Sequence, residues 1–316
     1  MLGLDESSRK ICEIFNDKIN LLRGNIPEYL FHYTSSFKAV EGIVIDNTFW
    51  YSPLDVLNDP SEALVCKEII RKLVLNSIPE YKKNDYISFY EFIDDFNWHE
   101  SDDNLIRPYT LSFTESENDV SQWKEYGNRG KGYCIKFNSK AMQPVGLNEV
   151  IPFHNGYYIP LYKVIYNNKI RDEFFEDIFS KCMPLLKSRS IVEHNIFISL
   201  LLWSSLLFKE ESYSSEKEWR SILLSSSNVE LDIDYTDSWA SKYKSHKFLE
   251  SQDIIQDKLV VKPEFNQFGD HVLVVECGIK QPHSSVSATQ NKIFMSTQPN
   301  EIDHIVKVTQ SKVPIR

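Results

Sequence analysis

Glycine is scarce in this chain, with ten residues in 316, and neither G-x-G-x-x-G nor G-x-x-x-x-G-K-[ST] occurs in it. A phosphate-cradling P-loop and a Rossmann dinucleotide fingerprint are therefore not expected. Cysteine is limited to Cys12, Cys66, Cys134, Cys182 and Cys277, an odd number, widely spaced and without a C-x-x-C pair. That pattern fits reduced, buried thiols rather than a disulfide framework or a zinc site. Positive charge is in deficit, the net charge being −10, so the whole-molecule field repels polyanions and any nucleic-acid contact needs a local basic patch. The N-terminal Met1 to Ser7 segment carries acids where a signal peptide needs a basic start and an apolar run, so a cytoplasmic protein is expected. The most apolar stretch, 195–208, is shorter than the ~20 residues that span a bilayer and is interrupted by Ser199, Ser204 and Ser205. It reads as a core helix, with no membrane partner.

What is present is apolar and aromatic: 42% hydrophobic residues, with 19 Phe, 16 Tyr and 6 Trp, enough to fill a core. Ile11, Ile14, Phe15, Ile19 and Leu22 recur at helical spacing over 6–23. Tyr29 to Thr34 is a β-favouring aromatic run, followed by a helix to about Ile45 and a strand at Phe49 to Ser52 that stops at Pro53. Asn58-Asp59-Pro60 predicts the start of a helix through Leu75, and 76–106 reads as an inserted helical or loop segment. Strands are expected at 109–113, 132–137, 161–166 and 216–224, and helices at 120–126, 171–187 and 191–209. Further strands at 259–261, 271–277 and 304–308 complete a sheet. No repeat and no linker divides the chain, so one α+β domain over 1–316 is expected, with a leading helix in 1–26, a core in 29–224 and sheet-completing strands in 225–316.

Chemistry concentrates in Glu216-Lys217-Glu218-Trp219-Arg220. On a strand, Glu216, Glu218 and Arg220 share one face; the plain reading is a solvated face with a surface ion pair. His32, between Phe31 and Tyr33, reads by itself as a half-buried, hydrogen-bonded histidine. The other seven histidines show no metal-ligand spacing, and no metal is expected. Asp59 and Glu62 suit helix initiation better than catalysis. Trp123 and Tyr126, three apart on a short helix, are core residues by default and an aromatic ledge for a base or nicotinamide otherwise. Arg129, Lys131 and Lys136 add positive charge beside them.

Several segments together resemble the bacterial domain-of-unknown-function family 2971: Phe31-His32-Tyr33-Thr34, Trp50-Tyr51-Ser52, Leu57-Asn58-Asp59-Pro60 with Glu62, Leu111-Ser112-Phe113-Thr114, Trp123 with Tyr126, Lys131 to Phe137, Val164 with Tyr166, and Ser215 to Arg220. More loosely, a strand with H-x-T, a strand ending in Tyr-Ser and a later E-x-E strand look like ADP-ribosyltransferases of the His-Tyr-Glu type. That resemblance implies split antiparallel sheets with surrounding helices and insertions, binding NAD as substrate. It would make Glu218 the carboxylate that stabilises positive charge as nicotinamide leaves, and Glu216 the group that orients or deprotonates the acceptor. His32 would bind the ribose and nicotinamide side with Thr34 beside it, and Tyr51 or, in its place, Tyr126 would stack on nicotinamide. Tyr33, Ser52 and Trp123 complete the NAD-lining set, and Arg220 either pairs with the glutamates or binds pyrophosphate.

The function so implied is an NAD-dependent ADP-ribosyltransferase, a toxin or phage-defence effector that modifies nucleic acid or protein, with an antitoxin or defence protein as its expected companion. Two alternatives stand beside it. One is a metal-dependent nuclease or phosphodiesterase with His32, Asp59, Glu62, Glu216 and Glu218 as ligands. The other is a noncatalytic binding module in which these residues hold the fold.

Overall fold

A computed structural model describes residues 5–53, 64–94, 106–142, 161–187, 190–226, 245–251, 254–261, 272–296 and 306–313. Asn58, Asp59, Pro60 and Glu62 lie outside the described residues.

Helix α1 (Glu6–Arg23) starts where Asp5 accepts the Ser8 backbone N–H at 2.7 Å, and stops at Gly24, whose φ of 60° suits a residue without Cβ. Its stripe of Ile11, Cys12, Phe15 and Ile19 is buried. It joins α3 (Lys67–Ser77), α4 (Ile87–Asp94), α6 (Asn168–Cys182) and α7 (Ile191–Ser205) in one apolar layer. Phe197 of α7 sits at its centre, with Phe15, Phe89 and Phe179 at ring separations of 5.7, 5.7 and 5.4 Å. Such a helix is apolar nearly all round because it is surrounded. No helix among the described residues is long and apolar enough to cross a membrane.

The strands are β1 (Tyr29–Thr34), β2 (Phe49–Pro53), β3 (Ile106–Thr114), β4 (Tyr133–Asn138), β5 (Tyr162–Lys163), β6 (Glu218–Ser226), β7 (Ser245–Ser251), β8 (Ile254–Val261), β9 (Val272–Cys277) and β10 (Lys307–Gln310). They form one sheet in the order β10-β9-β4-β1-β3-β2-β8-β7, with β6 on β3 and β5 on β6. All pairs are antiparallel except β10 with β9. The fold is therefore α+β, with an open mixed sheet. Strand β3 is its branch point: β6 runs along its whole length, while β1 meets it at Thr114 and β2 at Tyr109 and Thr110.

Alternation along β6 divides the two sides. Ile222 joins the helical layer, whereas Trp219 and Leu223 join a second core made of Leu30, Phe49, Tyr51, Leu111, Phe113, Ile135, Phe137 and Ile293. Helices α2 (Phe37–Val44) and α8 (His283–Ser296) cover that second side. A smaller cluster of Phe31, Tyr33, Trp123 and Cys134 lies at the entrance to α5 (Val120–Glu125). All five cysteines are free and buried, and burial pushes the Cys12 thiol up to about 11 and Cys182 to about 12.

Three sequence expectations change in detail. The strand expected over 161–166 shrinks to two residues, because Ile165 turns its N–H to the Leu207 carbonyl at 2.8 Å instead. Strand β7 and helix α8, polar and without clear periodicity, had no sequence counterpart. The strand expected from Glu216 begins at Glu218 instead: Glu216 closes a 3₁₀ turn, and Lys217 takes a left-handed conformation at φ 46°, ψ 48°.

Candidate functional site

Glu218 is the first residue of β6 and lies opposite Thr114 of β3; Arg220, two residues on, lies opposite Ser112. Residues directly opposed in an antiparallel pair project to the same side, so Ser112, Thr114, Glu218 and Arg220 share the face that carries the helical layer. The Glu218 carboxylate is 7% exposed and accepts from Arg220 Nε at 2.5 Å and Nη2 at 2.8 Å. Arg220 Nη1 donates to the Leu206 carbonyl at 3.2 Å, tying the exit of α7 to the sheet. Lys209, four residues after α7 and 5% exposed, reaches Glu218 at 3.4 Å and Glu216 at 2.7 Å.

Glu216 belongs to the same cluster although it stands outside the strand. Its Oε1 accepts from the Tyr126 hydroxyl at 3.0 Å and its Oε2 from Lys209, while its side chain keeps 17% exposure. Its main chain is pinned too, the Thr114 hydroxyl donating to the Glu216 carbonyl at 2.6 Å. The Glu218 N–H donates to the Tyr166 hydroxyl at 3.0 Å, and Lys209 lies 4.7 Å from the Tyr213 ring centre. The site is thus two carboxylates and two cations rimmed by Tyr126, Tyr166 and Tyr213, all partly exposed.

The electrostatics follow from burial against charge. Burial alone raises the Glu218 carboxyl, yet Arg220 and Lys209 outweigh it and bring the group down to about 2. Burial, and then the negative charge of the glutamates, pushes the Tyr126 and Tyr166 phenols well above their ordinary value. At neutral pH the phenols are therefore protonated and Glu218 is ionised.

The other expected site residues do not join this cluster. Phe31 pairs with Thr114, so Phe31 faces the Glu218 side and His32, its neighbour, faces the other. There the His32 ring lies 5.9 Å from Phe113, whose own partner across the ladder is Trp219. The His32 Nδ1–H donates to the Ser112 carbonyl at 2.9 Å, and the Ser112 hydroxyl bonds Glu218 on the opposite side. One residue thus separates the imidazole from the carboxylate across the thickness of the sheet. Tyr51 is fully buried on the His32 side, its hydroxyl 2.8 Å from Ser221 Oγ, and has no open ring face to stack on a nicotinamide. Thr34 pairs with Tyr133, and Ser52 with Thr110.

Tyr33 is buried, its ring edge-on to Trp123 at 5.1 Å and its hydroxyl donating to the Ser116 carbonyl at 3.2 Å. Trp123 is wholly buried, so the exposed ledge expected of Trp123 and Tyr126 reduces to Tyr126 alone. Among the described residues no three His, Cys, Asp or Glu side chains converge as a metal would require. Lys209 carried no sequence expectation. The available signal was its position as the first charge after the apolar run that ends at Phe208.

Residues 122–221 match the family described as protein of unknown function (DUF2971). The match bears out the family resemblance over the segment that holds Tyr126, Tyr166, Lys209, Glu216, Glu218 and Arg220. No curated protein and no solved structure matches the chain.

Proposed function

We propose that the chain is a glycosyl-transferring enzyme of the ADP-ribosyltransferase kind, acting on NAD, with Glu216 rather than Glu218 as the carboxylate that faces substrate. One observation carries this reading. Glu216 is the partly exposed carboxylate of the cluster, and it is fixed by a tyrosine hydroxyl on one oxygen and a buried ammonium on the other. A carboxylate held in that way stabilises developing positive charge without first reorganising. In the reaction, the bond between ribose and nicotinamide breaks with its electron pair going to the nicotinamide nitrogen, which leaves neutral. The acceptor oxygen or nitrogen bonds to the anomeric carbon and releases one proton. Glu216 faces the sugar cation and Tyr126 offers its ring beside it. Glu218, locked by Arg220, positions Lys209 and so Glu216. His32 and Tyr51 have no part in this arrangement.

The test is nicotinamide release from NAD, with water and with nucleic-acid and protein acceptors. The wild type is expected to release nicotinamide. Glu216→Gln should lose at least ~100-fold, as removal of a preorganised charge-stabilising group does, while its melting temperature stays near that of the wild type. Absence of release from the wild type overturns the proposal.

A second reading rests on charge balance. Two carboxylates against Lys209 and Arg220 sum to zero, the pattern of a closed network that holds a fold. It predicts that every loss of function on changing Glu216 is matched by loss of stability.

A further inference from the structure

The loop that leaves α5 runs Gly127-Asn128-Arg129-Gly130-Lys131-Gly132, and its shape is held by close backbone packing. Asn128, Arg129 and Gly130 have φ of 48°, 53° and 81°, an unusual run of left-handed residues. Gly130 N–H and Gly132 N–H both donate to the Gly127 carbonyl, at 3.0 and 2.9 Å. From the segment after β9, Gly278 N–H donates to the Gly132 carbonyl and Lys280 N–H to the Gly130 carbonyl, each at 2.9 Å. The Gln281 side-chain amide donates to the carbonyls of Lys131 and Gly132 at 2.8 and 2.7 Å. A Cβ on Gly278 would stand 2.3 Å from the Gly130 carbonyl oxygen, so the two segments pack backbone on backbone.

This platform carries Lys124, Arg129, Lys131 and Lys280, all exposed, and none forms an ion pair with a described residue. Glu125 is the one acid between Lys124 and Gly132. In a chain of net charge −10, Arg129 and Lys131 in the loop, Lys124 in α5 and Lys280 after β9 bring four cations, none paired with a described residue, together as a local field of opposite sign. Tyr126, partly exposed, precedes the loop, whereas Tyr133 after it packs toward Phe37 on the other face of the sheet. Cations on closely packed backbone, with one tyrosine ring at their edge, suit a strand of phosphates and bases. An anionic membrane would also call for exposed apolar side chains for insertion, and residues 127–132 contain none.

We infer that this loop, with Lys124 and Lys280, is a docking platform for the phosphate backbone of a single-stranded nucleic acid. The inference stands apart from the transferase reading, since binding is measured without turnover.

The experiment is fluorescence anisotropy with a labelled 20-nucleotide single-stranded RNA and its DNA counterpart, titrated between 50 and 200 mM salt. The comparison is the wild type against Arg129→Asn/Lys131→Gln/Lys280→Gln; asparagine accepts the left-handed backbone at 129. The wild type is expected to bind with salt-sensitive affinity and the triple variant at least tenfold more weakly. The slope of log K against log salt should fall by about 2, at ~0.7 per lost phosphate contact. The three sites are exposed, so the melting temperature should not move; if it does, Lys131→Gln and Lys280→Gln are read singly. Equal affinity of wild type and variants, no binding by the wild type at 50 mM salt, or equal competition by polyglutamate would each overturn the inference.

Discussion

Replacing Glu218 by glutamine tests the electrostatics of the site most directly. Its carboxylate faces the Arg220 guanidinium through Nε and Nη2 at 2.5 and 2.8 Å, and Lys209 lies at 3.4 Å; all three groups are nearly sealed from water. Glutamine keeps the volume and one acceptor, but turns an amide –NH₂ toward donors and leaves Arg220 buried without its counter-charge. Breaking a buried pair from one side costs ~3–5 kcal/mol. The lower end applies, because Lys209 retains Glu216 at 2.7 Å and Arg220 retains the Leu206 carbonyl. A loss of about 3 kcal/mol lowers the melting temperature of a chain this size by roughly 5 °C. Glu216→Gln, at the more exposed end of the cluster and keeping an acceptor for Tyr126, should lose about 1 kcal/mol.

The assay is urea unfolding at pH 7, repeated down to pH 3. With its folded carboxyl at about 2, against ~4.3 for an unfolded glutamate, Glu218 contributes stability that is complete above the unfolded value. That contribution is lost as pH falls toward 2. The wild type should therefore weaken along this acid limb, and Glu218→Gln should weaken less steeply from a lower starting point. A Glu218→Gln protein within 1 kcal/mol of the wild type at pH 7, with the same acid limb, would refute the reasoning.

Three further outcomes are expected. His194 is buried, stacked on Tyr86 at 5.0 Å, with Nε2 donating to the Lys187 carbonyl, and burial lowers its pKa. Below ~6.5 the unfolded chain takes up a proton that the folded one refuses, so stability should fall with pH by at most about 1.4 kcal/mol per unit, and His194→Phe should flatten that slope in urea titrations between pH 7 and 5. Gly132→Ala would place a Cβ 2.2 Å from the Thr34 carbonyl oxygen and should cost about 2–3 kcal/mol, as overpacking against backbone does; an unchanged urea midpoint would contradict the packing of the loop against β1. His32→Gln, on the far side of the sheet from Glu218, should leave nicotinamide release within threefold of the wild type; a hundredfold loss with the fold intact would place the imidazole at the reacting centre after all.

Much of the fold was legible wherever the signal was local. The stripe of α1 needs only 3.6-residue spacing and a capping aspartate, and both are written in the sequence. The aromatic run of β1 ends at Thr34 as expected because two serines follow it. What failed depended on partners far away in the chain. Ile165 left its strand for a carbonyl 42 positions on, and α8 is made helical by a sheet face it covers rather than by its own pattern.

The site divides along the same line. Glu216, Glu218 and Arg220 were correctly grouped, but for a reason that does not hold, since period-two alternation stops at Glu218. Lys217, left-handed, swings Glu216 back toward Lys209, and nothing in E-x-E announces such a turn in a lysine. Placing His32 beside Glu218 failed for a sharper reason. Sequence gives the alternation within β1 and within β6, but not the relative phase of the two, which the single register point Phe31 to Thr114 decides. A register one residue different would have put the imidazole on the carboxylate's side and Phe31 against Phe113. The aromatic residues on either side of His32 fit both phases. The phase is settled by Trp123, Tyr33 and Cys134, which together need Phe31 on their side to close the small cluster at α5. Packing of apolar residues, and not the chemistry of polar ones, therefore determined which charged groups meet.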